Sequence, residues 1–258
     1  MDRLANIGLA IECLKAEDPR FSALQIAPTL ADRQRQMRAL LNVRPPRRAS
    51  PTLLRAQDAE LTAQRGDKGV VEVAGQGARL WRGDITRLAA GAIVNAANSA
   101  MRGCFLPLHE CVDNAIHSAA GLQMRLRCDE IMRRRSCPEA EPGDAIMTDG
   151  YNLPAAHVVH ALGPMTPRGI VTPSHRAALA QCYRRSLDMA AEAGLRSVAF
   201  PCISTGVFLF PPKEAAHIAA RTVREWLQAN ATSIETVLFC VFKQSDHDIY
   251  KSLGIAEM

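Results

Sequence analysis

The hydrophobic positions divide the chain into two parts with different periodicity. Up to about residue 66, apolar residues recur at helical spacing within segments 4–14, 37–41 and 53–61. Spacings of three and four residues place such side chains on one face of a helix. Three prolines between positions 45 and 51 interrupt the pattern, because proline is not tolerated in a helix interior. The pattern therefore predicts a helical extension with an internal loop over residues 1–66.

From residue 69 onward, short β-rich runs alternate with alanine-rich helical stretches. Seven apolar runs predict strands, and they read VVEV, ARLWRGD, AIVNAAN, DAIMTDG, HVVHALG, SVAFPCI and TVLFCVF. Helices are predicted over 112–135, 174–193 and 212–230. Alternating strands and helices indicate a layered α/β domain, residues 67–258, with its ligand site at the carboxyl ends of the strands.

Composition and charge narrow the range of functions. The chain has 258 residues and 48% hydrophobic content, enough for one sizeable domain and an appendage. Its formal charge of +5 is scattered in short runs, which favours anionic small ligands over nucleic acid, and 5% aromatic residues offer few stacking platforms. The first apolar run is too short for a signal peptide, and no segment approaches the roughly 20 apolar residues of a membrane span. We expect a cytoplasmic protein whose eight cysteines are thiols or metal ligands.

Polar residues end two of the predicted strands. Asp84 follows Gly83 in the segment GDIT, where its carboxylate could accept from an exocyclic amine or, equally well, cap the next turn. Asn95 and Asn98 end the run AIVNAAN. Asparagine is depleted in strands, so this pair predicts polar groups aimed into a cleft, with ordinary turn asparagines as the alternative.

A third strand leads into the segment PCISTGVFLFP, residues 201–211. Its consecutive small residues allow backbone N–H groups to converge on a phosphate, and the start of the next helix favours the same anion. Phe208 could lie against a ribose or a base. The alternative is a tight turn between strand and helix with a buried phenylalanine.

The segment GCFLPLHEC places Cys104, His109 and Cys111 close together in sequence. A loop that bends at Pro107 can bring two thiolates and one imidazole around an ion, and this ligand set suits Zn²⁺. Three protein ligands leave one position open, as in catalytic rather than structural zinc sites. The sequence lacks the H-E-x-x-H and P-C-x-x-C patterns. A cysteine nucleophile with a histidine base, a structural zinc or no metal at all remain alternatives.

Four ordered motifs resemble the macrodomain, the ADP-ribose-binding α/β module, over roughly residues 69–245. They are GDITRLAAGAIVNAANS, CVDNAIHSAAG, HALGP and CISTGVFLFP. The resemblance implies a three-layer α/β/α fold with a central mixed sheet. It also implies that Asp84 and Ile85 meet the adenine and that Asn95 and Asn98 approach the distal ribose. The diphosphate and proximal sugar would be wrapped by Ser204, Thr205, Gly206, Val207 and Phe208.

The loop before Asp113 differs from the hydrolytic branch of that family. There a run of glycines leads into VDG, whereas here CFLPLHEC stands in place of the glycines and the Val-Asp pair and AIHSAAG remain. With LLNVRPP in its extension, the chain resembles the zinc-containing macrodomain subclass associated with microbial sirtuins. This resemblance implies one Zn²⁺ per chain, held by Cys104, His109 and Cys111.

The resemblance implies a zinc-dependent hydrolase that removes mono-ADP-ribose from modified proteins. Asp113 would orient or deprotonate a water and Asn98 would position the ribose, although Asp113 could instead cap its helix. A sirtuin-type ADP-ribosyltransferase and a lipoyl-carrier protein are the implied partners. A non-catalytic ADP-ribose reader with a structural zinc, or a phosphatase acting on an ADP-ribose derivative, are the alternatives. Residues 1–66 contain no clustered polar triad, so we expect them to contribute stability rather than chemistry.

Overall fold

Three helices form the N-terminal part of the chain in a computed structural model that describes residues 2–230 and 234–258. Their bounds are α1 (Arg3–Glu17), α2 (Leu30–Val43) and α3 (Pro51–Lys68). Thr29 and Ser50 cap α2 and α3 by accepting from the backbone N–H groups of Asp32 and Leu53. The prolines at 45 and 46 lie in the connection between α2 and α3, and Pro51 opens α3. The last helix of the extension ends at Lys68, two residues beyond the predicted boundary.

The remainder alternates strands and helices. Its elements are β1 (Val71–Glu72), β2 (Gly77–Arg82), β3 (Leu88–Ala89), β4 (Ala92–Ala96), α4 (Val112–Ala120), α5 (Leu122–Arg133), β5 (Ala145–Asp149), β6 (His157–Ala161), α6 (Pro173–Glu192), β7 (Ser197–Phe200), α7 (Pro212–Ala229), β8 (Thr236–Val241), α8 (Gln244–Ser252) and β9 (Ala256–Glu257). All seven predicted strands are present. The single helix predicted over 112–135 is divided at Gly121, where φ is 100°.

Seven strands form one sheet in the order β5-β6-β4-β7-β8-β2-β9, and β1 pairs with β3 beside it. Among these strands β5 alone runs antiparallel to its neighbour. The carboxyl ends of the five strands from β6 to β2 consequently lie along one edge. The sheet is mixed, as predicted.

Helices cover both faces of this sheet, and alternation along the strands shows why. In β8, Val237, Phe239 and Val241 pack into the core beneath α6, α7 and α8. Leu238 and Cys240 pack into the core on the opposite face, with α4 and α5. Successive side chains of a strand point to opposite faces, so a continuous apolar run requires cover on both sides. The three-layer α/β/α fold expected from the sequence is confirmed.

A third core joins the helical extension to the domain. Buried residues of α1, α2 and α3, such as Ile11, Leu41 and Leu53, pack together with Leu122 of α5. Each such side chain contributes about 1.5–3 kcal/mol when fully buried. The extension therefore lies against the α4–α5 side of the sheet. No helix among residues 2–230 and 234–258 is long and apolar enough to cross a membrane.

Candidate functional site

The polar residues identified in the sequence gather at the carboxyl-end edge of the sheet. Asp84 follows β2, Asn98 follows β4, and the segment 201–211 follows β7. In the strand order β4-β7-β8-β2, three strand spacings separate Asn98 from Asp84. Adjacent strands lie about 4.8 Å apart, so the two residues are roughly 14 Å apart along this edge. We call the strip of the edge between them the groove.

Asp84 lies at one end of this groove and is partly exposed. Its Oδ1 accepts from Thr86 N at 2.9 Å and from Thr86 Oγ1 at 2.7 Å, so the capping role considered from the sequence is present. Its Oδ2 accepts from Lys68 Nζ at 3.1 Å. Burial by itself raises the pKa of Asp84, but the Thr86 hydrogen bonds and the Lys68 charge outweigh it and bring the pKa below its usual value. The neighbouring Ile85 side chain is buried in the core beside α4.

An exposed aromatic residue beside Asp84 was not assigned a role from the sequence. Phe242 comes directly after β8 and is 77% exposed. Because β8 pairs with β2, and Gly83 N donates to Val241 O at 2.9 Å, Phe242 and Asp84 lie at adjacent strand ends. A large apolar side chain left in solvent at the carboxyl end of a strand is the signal that could have identified it.

The segment 201–211 presents backbone N–H groups at the middle of the groove. Phe210 N donates to Ser204 O, and Leu209 N donates to Gly206 O, both at 3.0 Å. By contrast, the amides of Gly206, Val207 and Phe208 donate to no acceptor within residues 2–230 and 234–258. Three consecutive unpaired amides in an exposed turn form a concave donor surface for an anion.

Ser204 fixes the shape of this turn. It has a φ of 66°, and its buried Oγ has no hydrogen-bond partner among the described residues. A Cβ on Gly163, which follows β6, would come within 2.0 Å of that oxygen. Glycine at 163 is thus required for the chain after β6 to pass against the anion loop.

Asp113 lies at the other end of the groove, and two asparagines hold its carboxylate. Asn95 Nδ2 donates to Asp113 Oδ1 at 2.7 Å, and Asn98 Nδ2 donates to Oδ2 at 3.2 Å. Asn95 is fully buried, so it acts on the groove through Asp113, whereas Asn98 is partly exposed. The structure therefore brings the two predicted strand-end asparagines to one carboxylate.

The alternative that Asp113 caps its helix is wrong. Cys111 is the N-cap residue of α4, and its Sγ accepts from Asn114 N at 3.3 Å. Burial raises the pKa of Asp113 to about 6, although the Asn95 hydrogen bond and the Arg125 charge act to lower it. His117 lies one turn further along α4, and its Nε2 is 3.6 Å from Asp113 Oδ1.

A buried histidine supports Asn95 from the sheet side. Asn95 Nδ2 donates to His160 Nδ1 at 3.1 Å, which places the imidazole proton on Nε2, 3.1 Å from Thr148 Oγ1. Burial lowers the pKa of His160 to about 3, so the ring is neutral near pH 7. The ligand atoms of His117, Cys128 and His160 also lie within 4.8 Å of one another, but the nitrogens of His160 already have partners. His160 is thus a hydrogen-bonded support for Asn95, whereas neither ring nitrogen of His117 has a hydrogen-bond partner among the described residues.

The predicted thiol–imidazole set is assembled beside Asp113. The ligand atoms of Cys104, His109 and Cys111 lie within 4.8 Å of one another, and all three residues are partly exposed. Cys104 Sγ lies 3.5 Å from His109 Nδ1. The loop that carries them connects β4 to α4, so the same helix start positions Cys111 and Asp113.

Comparison with known proteins places this arrangement in a family. Residues 94–219 match the Macro domain family. The chain is 42% identical to the "Protein-ADP-ribose hydrolase" of Treponema medium, over 94% of this chain and 95% of the relative. It is 39% identical to the "Probable bifunctional ADP-ribose hydrolase/ADP-ribosyltransferase" of Fusarium oxysporum f. sp. cubense, over 98% of this chain and 42% of that protein. Among solved structures, the Trypanosoma brucei macrodomain in complex with ADP-ribose matches with a TM-score of 0.64 and 27% identity, over 81% of this chain and 92% of that one. The chain belongs to the Macro domain family.

Proposed function

We propose that this protein is a hydrolase that removes single ADP-ribose units from modified proteins and that it works with a Zn²⁺ ion. The observation that carries the proposal is the Asp113 carboxylate, held by Asn95 and Asn98 at one end of a groove suited to ADP-ribose. The names of relatives such as the Treponema medium protein support the same activity.

The binding half of the groove suits the adenosine diphosphate part of the ligand. Asp84 Oδ2 can accept from the adenine amine in place of Lys68, and Phe242 offers a face on which the base can stack. The three unpaired amides at 206–208 can then donate to the diphosphate. With these contacts made, the distal ribose extends toward Asn98 and Asp113.

The catalytic half holds the sugar and a proton acceptor. Asn98 is partly exposed. Its Nδ2 already donates to Gly103 O and to Asp113 Oδ2, so it is Oδ1, which accepts from Ala100 N, that can also accept from a ribose hydroxyl. Asp113 then orients a water toward the anomeric carbon and accepts its proton. As the new C–O bond forms, the bond between the anomeric carbon and the protein acceptor breaks, and the acceptor side chain leaves with the electron pair. Because two amide donors fix the carboxylate, little reorganisation is needed when the water is activated.

The residues present fit a zinc ion. Two thiols and one imidazole with mutual distances within 4.8 Å match the ligand types and number of an open zinc site. Cys104, His109 and Cys111 would hold the ion. When bound, zinc supplies a Lewis acid close to the reacting ribose. The thiol pair also favours zinc over hard cations, which prefer oxygen ligands.

The partners follow from the same proposal. A sirtuin-type ADP-ribosyltransferase would make the modification, and a lipoyl-carrier protein would bear it. The Fusarium oxysporum relative, which is named for both hydrolase and ADP-ribosyltransferase activity, supports coupling to a transferase. We also propose that the protein is cytoplasmic. Residues 1–66 would be the extension and residues 67–258 the macrodomain.

The deciding experiment compares turnover and zinc content in three cysteine variants. Cys111→Ala removes both the thiolate and the cap of α4, whereas Cys111→Ser keeps a capping oxygen and removes only the thiolate. Cys137→Ala serves as the control because Cys137 is exposed and lies outside the loop. Wild type and the control should contain about one zinc per chain. Both Cys111 variants should lose zinc and release no ADP-ribose from a mono-ADP-ribosylated protein.

The same samples distinguish hydrolase from reader. Calorimetry with ADP-ribose should give similar affinities for all four proteins, because the binding half lies at the other end of the groove. Protein that contains zinc and binds ADP-ribose but releases none from modified proteins would be a reader. Full turnover after the zinc has been stripped with a chelator would exclude zinc chemistry and leave Asp113 with an ordinary water.

A further inference from the structure

The loop that carries Cys104, His109 and Cys111 is a strained connection. Met101 and Leu108 both have a φ of 56°, a left-handed conformation that non-glycine residues rarely adopt. Such a conformation is unfavourable for a residue with a side chain and persists only where surrounding contacts determine it. Contacts from outside the loop must therefore hold its shape.

Helix α2 of the N-terminal extension supplies these contacts. Asn42 Oδ1 accepts from Leu108 N at 3.0 Å, at one of the two strained positions. Arg38 Nη2 donates to His109 O at 3.4 Å and to Asn114 Oδ1 at 2.7 Å. Asn114 in turn donates through Nδ2 to Leu106 O at 2.9 Å. Two side chains of α2 thus bind the loop backbone at two adjacent residues, Asn42 at Leu108 N and Arg38 at His109 O.

Arg125 of α5 binds both the end of α2 and the loop. Its Nη1 donates to the carbonyl oxygens of Leu41, Asn42 and Arg44 at 3.2, 2.6 and 2.8 Å. Its Nη2 donates to Cys104 O at 3.1 Å. One buried guanidinium therefore fixes the end of α2 to the first thiol residue of the loop.

We infer that Arg38 and Asn42 are positioning residues for the thiol–imidazole loop, so that the helical extension forms one wall of the active site. The expected effect on turnover rests on the proposed function, whereas the positioning of the loop by Arg38 and Asn42 does not. It also differs from the sequence expectation that residues 1–66 contribute stability alone. Neither side chain touches Asp84 or the amides at 206–208, so ligand binding should not depend on them.

Hydrogen exchange tests the inference independently of catalysis. Deuterium uptake is measured in wild type and in Asn42→Ala, Arg38→Ala and Arg38→Lys. Arg35→Ala is the control, because Arg35 is exposed on the same helix. Asn42→Ala and Arg38→Ala should speed exchange in peptides covering 104–111, where the Leu108 amide loses its acceptor or its support. Arg38→Lys should be intermediate, since an ammonium can replace Nη2 but not the second hydrogen bond that Arg38 Nε donates to Asn114 Oδ1 at 3.2 Å.

Steady-state kinetics and zinc competition with a chelator complete the test. Arg38→Ala and Asn42→Ala should lower kcat and zinc affinity by about 10- to 100-fold, as for residues that support metal ligands. The Kd for ADP-ribose of Arg38→Ala should match that of Arg35→Ala, and circular dichroism should show that both variants are folded.

Three results are distinguishable. If hydrogen exchange and zinc affinity in Arg38→Ala and Asn42→Ala equal those of Arg35→Ala, the inference is overturned. A fall in ADP-ribose affinity in parallel with kcat would also overturn it. Wild type that does not hydrolyse would refute the proposed function. In that case faster loop exchange in Arg38→Ala would still support the positioning role.

Discussion

Replacing Asp84 with Asn removes the negative charge of the side chain but keeps the oxygen that caps the following turn. Oδ1 accepts both Thr86 donors, and an amide oxygen can keep these bonds. Oδ2, which faces Lys68, loses its charge. Asp84→Ala removes both functions and serves as the more severe variant. If the carboxylate receives the adenine amine, both substitutions weaken ADP-ribose binding, and Asp84→Asn does so without destabilising the turn.

The expected magnitude follows from the contacts of the carboxylate. A hydrogen bond to a charged acceptor contributes about 1.5–3 kcal/mol. The ligand must first displace Lys68, which is 48% exposed, and an exposed ion pair contributes about 0–1 kcal/mol. With the ion pair taken at about 0.5 kcal/mol, the middle of that range, about 1–2.5 kcal/mol remains, and this corresponds to binding that is about 5- to 70-fold weaker.

Calorimetry with ADP-ribose measures this directly. Lys68→Ala should leave the affinity unchanged or strengthen it, because it removes a group that competes with the adenine amine for Oδ2. A Kd for Asp84→Asn within about twofold of wild type would show that Asp84 serves only as a turn cap. Circular dichroism at the titration temperature checks that each variant is folded.

Three further outcomes are expected. Phe242→Ala should weaken ADP-ribose binding by about 1–3 kcal/mol if the ring stacks on the base, and unchanged calorimetry would exclude that contact. Gly163→Ala should cost about 1–3 kcal/mol in denaturant unfolding, because its Cβ meets Ser204 Oγ; a wild-type midpoint would show that the turn relaxes. The pKa of His160 is about 3 when folded and 6.5 when unfolded, so its stabilising effect is present above pH 6.5 and is lost as the pH falls. Between pH 7 and pH 5, wild type should lose about 2 kcal/mol more than His160→Gln in urea titrations, and equal losses would contradict the assignment.

The central strands β4, β6, β7 and β8 could be predicted because they are buried on both faces and read as largely apolar runs. Three strands have only two residues each. Of these, β1 was predicted because it lies inside the run VVEV, whereas β3 and β9 lie in no such run and could not be predicted. The capping of α4 was also out of reach, because a thiol is outside the usual set of N-cap side chains and Asp113 looks like the better candidate.

Long-range contacts account for what the sequence did not indicate about the site. Arg38 and Asn114 are 76 positions apart, and nothing in the local pattern of either segment shows that they meet. The spacing of Cys104, His109 and Cys111, by contrast, is local, and the structure brings all three together as that spacing predicts. The thiol–imidazole set could therefore be predicted from the sequence, whereas the contacts of α2 that support its loop could not.

The carbonyl partners of Arg125 affect the order in which the chain can fold. Three of them, at the end of α2, lie 81 to 84 positions before the guanidinium. At a synthesis rate of roughly 5 to 20 residues per second, α2 leaves the ribosome about 4 to 16 seconds before that partner exists. Over this interval its last turn is hydrated, and Leu122, which completes the third core, is also missing. The helices of the nascent extension therefore complete their packing only after α5 has been synthesised. Because the extension shares its core with α5, the finished protein should unfold in one cooperative thermal transition.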